Sequence, residues 1–200
     1  MERILIVYGT SHGWTTRIVE RMAEVFRGMG MVPTLHRADH LPASLDLRGF
    51  EGALLAGSVQ YGRHQRSLEK FATRHGVELS RMPAAFLSVC GALAGSYPGG
   101  PADAAKYREL FAQRTGWRPA MTWSVPGRVA YTQYPYLLRQ MMKLISWRTG
   151  RPTDTSRDWE FTDWAEVDRL AKDFGLAVKG DAGTAGRRGA AGDAREKVGG

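Results

Sequence analysis

Short, unbroken apolar runs alternate along this chain with longer stretches whose apolar residues recur every three or four positions. The first run is RILIVY, residues 3–8, continuous, β-rich and bounded by turn residues. That pattern predicts a strand buried on both faces. In TTRIVERMAEVFRGMG, Ile18, Met22 and Phe26 share one helical face, and Gly28 or Gly30 closes the helix. MVPTLHRA predicts a second strand, near a sheet edge because Pro33 cannot donate to a ladder. FEGALLAGSVQYG predicts a third strand running into a loop, and QRSLEKFATRHG a helix closed by Gly76. PAAFLSVCG reads as a fourth strand, followed by the Gly/Pro-rich loop GALAGSYPGGP. The helix ADAAKYRELFAQRTG, the fifth strand PAMTWSVPG and the helix TDWAEVDRLAKDFGLAVK complete the series, the last capped by Thr162 or Asp163.

Strands alternating with helices of this length predict a parallel sheet with helices on both faces and right-handed crossovers. Ligands of such sheets sit outside the carboxyl ends of the strands, near the switch in strand order. Three loops leave strand carboxyl ends here: GTSHGWT, SVQYGRH and CGALAGSYPGG. Two parts break the pattern. Residues from about 127 to 157 form an insertion before the last helix, and residues 179–200, GDAGTAGRRGAAGDAREKVGG after Lys179, have almost nothing to bury. The expectation is one domain over 1–178 and a disordered tail over 179–200.

Composition narrows the classes. At 200 residues, 43% hydrophobic and 24% charged, the chain suits one soluble domain. No apolar run approaches the roughly 20 residues that span a bilayer, and MERILIVYGTSHG makes a poor signal peptide. A single cysteine excludes an internal disulfide and a multi-cysteine metal site, so no metal is expected. The net charge of +8 raises nucleic-acid binding. It is local, however: Arg118, Arg128, Arg139, Lys143, Arg148, Arg151 and Arg157 face one acid, Asp154, a net +6 between Trp117 and Arg157. No nucleic-acid motif accompanies it, and no such partner is expected.

The first loop carries the most chemistry. A helix N-terminus offers unpaired N–H groups and a positive dipole end. Thr10, Ser11, Thr15 and Thr16 add hydroxyl donors, and Gly13 admits close backbone approach. No lysine follows as in a nucleoside triphosphate loop, and the G-x-G-x-x-G spacing of dinucleotide sites is absent. Hydroxyls and amides with little formal charge suit a monoester phosphate. IVYGTSHGWT resembles the FMN phosphate loop of the flavodoxins, with Ile6, Val7, Tyr8, Thr10, Gly13 and Thr15 in matching places. Val19 stands where alanine is usual, and His12 and Trp14 where Thr and Asn often stand. The resemblance implies a flavodoxin-like, doubly wound, five-stranded α/β sheet of order 2-1-3-4-5. It implies FMN held by residues Thr10, Ser11, His12, Gly13, Trp14, Thr15 and Thr16. Ser58, Val59, Gln60, Tyr61 and Gly62 resemble the loop whose aromatic residue packs on the flavin, with Tyr61 in that role. Ser88, Val89, Cys90, Gly91 and Ala92 would run along the other side of the ring, offering backbone amides.

The resemblance sharpens further on. SVQYGRHQRSLEKFATRH, MPAAFLSV, GWRP, YPYLLRQMMKLI, TDT and FTDW occur in the order and spacing of the menaquinone-dependent protoporphyrinogen IX dehydrogenases, flavodoxin-like FMN enzymes of haem biosynthesis. It covers residues 4–172, the insertion included. It implies oxidation of protoporphyrinogen IX with menaquinone or another quinone as acceptor. Arg118, Arg128, Arg139 and Arg151 are then candidates for the propionates, since Arg binds carboxylates bidentately. Tyr131, Tyr134, Tyr136 and Trp147 offer flat apolar contact. YPYLLRQMMKLISW is too short to span a bilayer but can lie on an anionic membrane surface through Arg139, Lys143 and Arg148. The other reading of that stretch is a helix packed on its own domain or on a second copy. A cytoplasmic address follows, peripheral on the plasma membrane if the insertion meets lipid. No acid or base stands out; His64 is the one candidate by position. A one-electron carrier and an NAD(P)H:quinone reductase are the rival functions. The basic insertion opposes the first, and no nicotinamide motif favours the second.

Overall fold

The structure, a computed structural model, describes residues 1–42, 44–94, 98–129, 132, 147 and 154–196. Five parallel strands form its centre: β1 (Arg3–Gly9), β2 (Val32–Arg37), β3 (Gly52–Ser58), β4 (Ala84–Val89) and β5 (Met121–Val125), in the order β2-β1-β3-β4-β5. Ile4 sits opposite Pro33 on one side and Gly52 on the other, which fixes the register of the three strands about the switch point. β2 is an edge strand, where Pro33 costs no ladder bond. Ile4, Leu5, Ile6 and Val7 are all fully buried, because helices cover both faces.

Alternate residues of β1 serve opposite faces. Ile4, Ile6 and Tyr8 pack against Ile18, Met22 and Phe26 of α1 (Trp14–Gly28) and Leu170 and Phe174 of α4 (Trp164–Glu196). Leu5 and Val7 pack with Leu68 and Phe71 of α2 (Arg66–Leu79) and Phe111 of α3 (Gly100–Thr115). Phe86 of β4 stacks on Phe111 at 4.0 Å, and Phe26 meets Phe174 edge-on at 5.9 Å. Each aromatic pair contributes about 1 kcal/mol beyond its buried area.

The helix ends follow their local chemistry, with one correction. α1 stops at Gly28, as expected. α2 does not stop at Gly76 but runs on to Leu79, with the Ser80 hydroxyl donating to the Gly76 carbonyl at 2.7 Å. Full burial of Leu79 offsets the cost of about 1 kcal/mol for a mid-helix glycine. The carboxylate of Asp163, rather than the hydroxyl of Thr162, caps α4 by accepting from the amides of Ala165 and Glu166 at 3.0 and 3.2 Å. Among the described residues, the last core contact of α4 is Val178, while its helical backbone continues to Glu196.

The insertion leaves and rejoins the domain through a two-stranded antiparallel ribbon, β6 (Arg128–Val129) with β7 (Trp159–Glu160). Its two ends are thereby fixed beside β5 and the start of α4. Among the described residues, no helix is long and apolar enough to cross a membrane.

Candidate active site at the carboxyl ends of β1, β3 and β4

β1 and β3 are neighbours, and the order reverses at β1, so their carboxyl ends flank the crevice where such folds take ligands. Gly9 closes β1. A Cβ there would lie 2.6 Å from Oε1 of Gln65, so only glycine lets the first loop rest on that side chain. Nε2 of Gln65 donates to the Ser58 hydroxyl at 2.7 Å and to the Ser11 hydroxyl at 3.1 Å, which ties the first loop to the second. Gly13 holds the N-cap of α1 at φ +74°, a left-handed backbone that side chains strain, and it brings no capping side chain. No acid lies in the first turn, so the opening amides of α1 face outward beneath a positive dipole end.

Two hydroxyls at this loop, and two polar atoms that flank it, lack partners. Among the described residues, six buried side-chain N or O atoms make no hydrogen bond, and four belong here: Thr10 Oγ1, Thr15 Oγ1, Gln65 Oε1 and Arg128 Nε. Leaving a buried polar group unpaired costs about 1–3 kcal/mol, so a cluster of four at one helix N-terminus fits a bound polar group. Hydroxyl donors and uncapped amides are the donor set a phosphate monoester needs.

Trp14 does not join that donor set. Its ring is buried in the α1 side of the core, and Nε1 donates to the Thr162 hydroxyl at 2.8 Å. That hydroxyl donates in turn to the Pro126 carbonyl at 2.9 Å. The guanidinium groups of Arg17 and Arg128 each lie 5.1 Å from the Trp14 ring, and Trp164 approaches at 6.1 Å. Trp14 therefore bolts the first loop to both ends of the insertion, leaving only its backbone to serve a ligand. His12 is half-buried, and its carbonyl lies 3.5 Å from Nη2 of Arg128. Thr16 is half-buried in the first turn of α1.

The second loop is a tight turn. Gln60 and Arg63 exchange N–H···O bonds of 2.8 and 3.1 Å around Tyr61 at φ +50° and Gly62 at φ +74°. A tyrosine at positive φ is uncommon, and such strain collects at functional sites. Its ring is 80% exposed at the turn's tip, while Ser58, Val59 and Gln60 behind it are half-buried. The turn thus holds a flat aromatic surface out beside the crevice.

In the third loop most side chains turn inward. Ser88 is fully buried, its hydroxyl 2.9 Å from Nε2 of His64, and Val89 lies in the core. Cys90 is buried too; its amide donates to the Val125 carbonyl at 2.9 Å, and its sulfur accepts from the Ala92 amide at 3.4 Å. Of the five expected residues only Gly91 and Ala92 reach the surface. His64 packs edge-on against Phe86 and Phe111, and burial, aided by the Arg114 charge, pushes its pKa down to about 3. It is neutral near pH 7 and holds Ser88, a packing role rather than an acid–base one.

The expected substrate residues divide. Arg128 stands at the first loop, paired with Asp158 at 3.1 Å, rather than free for a propionate. Arg118 precedes β5 and so lies by the amino ends of the strands, away from the crevice, where it forks onto Glu109 at 2.9 and 2.7 Å. Tyr131, Arg139 and Arg151, with Tyr134, Tyr136, Lys143 and Arg148, lie outside the described residues. Trp147 is exposed. Gln65 and Thr162, which tie the loops together, lie in the stretches SVQYGRHQRSLEKFATRH and FTDW but not among the expected site residues. Gln65 was nonetheless open to notice, as the polar residue just before α2.

Comparison with known proteins places this geometry. A flavodoxin domain model matches residues 5–156. Protoporphyrinogen IX dehydrogenase [quinone] of Escherichia coli K12 is 26% identical over 175 residues, covering 86% of this chain and 94% of that protein. The protein of the same name from Leishmania major is 30% identical over 176 residues, covering 86% of this chain and 74% of its own. In fold, the oxidised flavodoxin 1 of Bacillus cereus superposes with a TM-score of 0.52 at 13% identity, over 86% of this chain and 97% of that one. The chain is thus an FMN-binding flavodoxin-domain oxidoreductase, and it belongs to the protoporphyrinogen IX dehydrogenase [quinone] family.

Proposed function

We propose that this chain oxidises protoporphyrinogen IX to protoporphyrin IX in haem biosynthesis, passing the electrons to a quinone, menaquinone by preference. FMN, bound noncovalently, supplies a hydride acceptor that the side chains cannot. The observation that carries the reading is the cluster of unpartnered atoms on Thr10, Thr15, Gln65 and Arg128 beside the uncapped start of α1. On this reading Thr10, Thr15 and the amides from Ser11 to Thr16 hold the phosphate, and Tyr61 covers one face of the ring. Ser58 and Gln60 line the cleft, and the backbone at Gly91 and Ala92 borders the ring's edge. Oxidation to the porphyrin takes three turnovers. In each, the tetrapyrrole gives up a hydride equivalent and a proton, and one quinone gains two electrons and two protons as a quinol, the proton released at the tetrapyrrole being matched by one the quinone takes from solvent. His64, neutral and buried, serves packing rather than this transfer.

Two measurements test it. Anaerobic addition of protoporphyrinogen IX with a menaquinone analogue should give porphyrin fluorescence that needs both protein and quinone. Flavin reduced by NADPH and not by the porphyrinogen would move the assignment to an NAD(P)H:quinone reductase. Gly13→Val combined with Thr15→Val should weaken FMN binding about 100-fold, because it removes one donor and strains a left-handed residue. Unchanged affinity overturns the phosphate assignment. The apolar, basic stretch 134–148 is proposed to rest on anionic lipid, and Arg139→Glu with Lys143→Glu should release the protein from anionic vesicles.

A further inference from the structure

Several cations on and beside α2 line one groove on the described surface. Arg63, Arg66, Lys70, Arg74 and Arg114 line a groove of about 600 Å³ with Glu69 among them. Glu69 is only 5% exposed and is already engaged, by Nε of Arg63 at 3.0 Å and by Arg114 at 3.6 Å. It aims those two guanidinium groups without neutralising the rest. Arg66, Lys70 and Arg74 follow at i, i+4 and i+8, one stripe of α2 about 12 Å long. Like charges at that spacing disfavour a helix. Among the described residues, no carboxylate pairs with any of the three, whereas the surface arginines Arg21, Arg37, Arg118 and Arg169 each hold one.

The groove opens beside the candidate active site. Arg63 follows Tyr61 by two residues, so their Cα atoms lie within about 7 Å. α2 begins three residues later, with no side-chain cap on its first amides. An exposed aromatic ring two residues from a cationic groove, with Arg66, Lys70 and Arg74 unpaired among the described residues, suits a flat molecule carrying carboxylates along one edge. Arginine forks bind such groups bidentately.

We propose that this groove recognises the carboxylates of the tetrapyrrole, which lies over the Tyr61 end of the crevice and extends its acidic edge along Arg66, Lys70 and Arg74. This rests on the substrate class proposed above. The test separates the two by measuring binding rather than turnover. FMN-loaded protein is titrated with protoporphyrin IX and with its uncharged dimethyl ester, followed by fluorescence quenching. The wild type should prefer the diacid by about tenfold, the size of one good charge-assisted contact. Raised salt should shrink the preference. Arg66→Gln, Lys70→Gln and Arg74→Gln together should abolish it and leave FMN affinity unchanged. Equal binding of acid and ester by the wild type, or a preference kept by the triple variant, overturns the proposal. So does a triple variant that loses only its binding to anionic vesicles, which marks the stripe as a lipid-facing surface. A protein that discriminates the diacid yet fails to oxidise the porphyrinogen retains the groove and loses the proposed reaction.

Discussion

Two sets of cations in this molecule differ in one respect that the sequence hides. Arg118 and Arg128 stand in the most basic segment of the chain, and both hold a carboxylate: Glu109, nine residues back, and Asp158, thirty residues on. Arg66, Lys70 and Arg74 belong to a helix with acids at Glu69 and Glu78, yet none of those acids pairs with them among the described residues. Local charge density therefore does not tell which of these cations are paired. Pairing is decided by the register of strands and the approach of helices, and a cation left over after that pairing can attract a ligand without first losing a partner. Even the two paired arginines differ. The Arg118 pair is largely exposed, 63% and 47%, whereas the Arg128 pair is 20% and 18% exposed.

The sharpest way to break this contrast is Arg128→Ala. It strips Asp158 of its ion pair, removes the guanidinium from the Trp14 ring, and takes away the Arg128 contact to the His12 carbonyl. Among the described residues, Asp158 then keeps the bonds from the amide and hydroxyl of Thr132, 2.9 and 2.8 Å. A half-desolvated carboxylate left this way should cost about 2–3 kcal/mol in urea unfolding. The first loop should loosen with it, and FMN affinity should fall about tenfold. Arg66→Ala, by comparison, should leave unfolding stability unchanged. A loss no greater for Arg128 than for Arg66 would erase the distinction between paired and free.

His64 probes the same contrast through burial, as a potential cation that the fold keeps neutral. Its pKa falls from 6.5 to about 3, chiefly by desolvation and secondarily through the charge of Arg114. Below pH 6.5 the unfolded chain takes up a proton that the folded chain refuses. Stability therefore falls as pH falls from about 6.5 toward 3, at up to about 1.4 kcal/mol per pH unit for this one group. Denaturant melts at pH 7 and pH 4.5 should show a steeper loss for the wild type than for His64→Gln. Parallel losses would mean that the folded state admits the proton.

The sheet and its helices were legible because burial leaves a mark on sequence: RILIVY is apolar at every position since β1 is covered on both sides. The strand-to-helix junction holding Thr10, Gly13 and Thr15 was legible because an apolar run ends there and a helical pattern begins. The inward partners of Ser88 and Cys90 left no such mark. In a strand buried on both faces, a small polar residue can point inward and find a partner, as Ser88 finds His64, and that partner is twenty-four residues away in sequence. Gly76 read as a helix end because the burial of Leu79, one turn on, is a tertiary fact. Trp14 stood inside the loop motif while its ring served the core. The partners of Arg118 and Arg128 had no local signature at all.

The smallest effect belongs to Arg118→Ala, and it bears most directly on where the substrate's acids go. Arg118 and Glu109 form two well-directed bonds, but both side chains are open to water. Water and salt screen such a pair, and fixing two long side chains offsets most of what remains. Glu109 is held well below its usual pKa, to about 2, by the Arg118 hydrogen bonds first and the Gln113 amide second. Removing Arg118 should raise that pKa toward the ordinary carboxylate range, a change NMR titration would detect. Unfolding stability, FMN affinity and the preference for a porphyrin diacid over its ester should not move. A weakened diacid preference in Arg118→Ala would return the carboxylate site to the amino-end side of the sheet and take it away from α2.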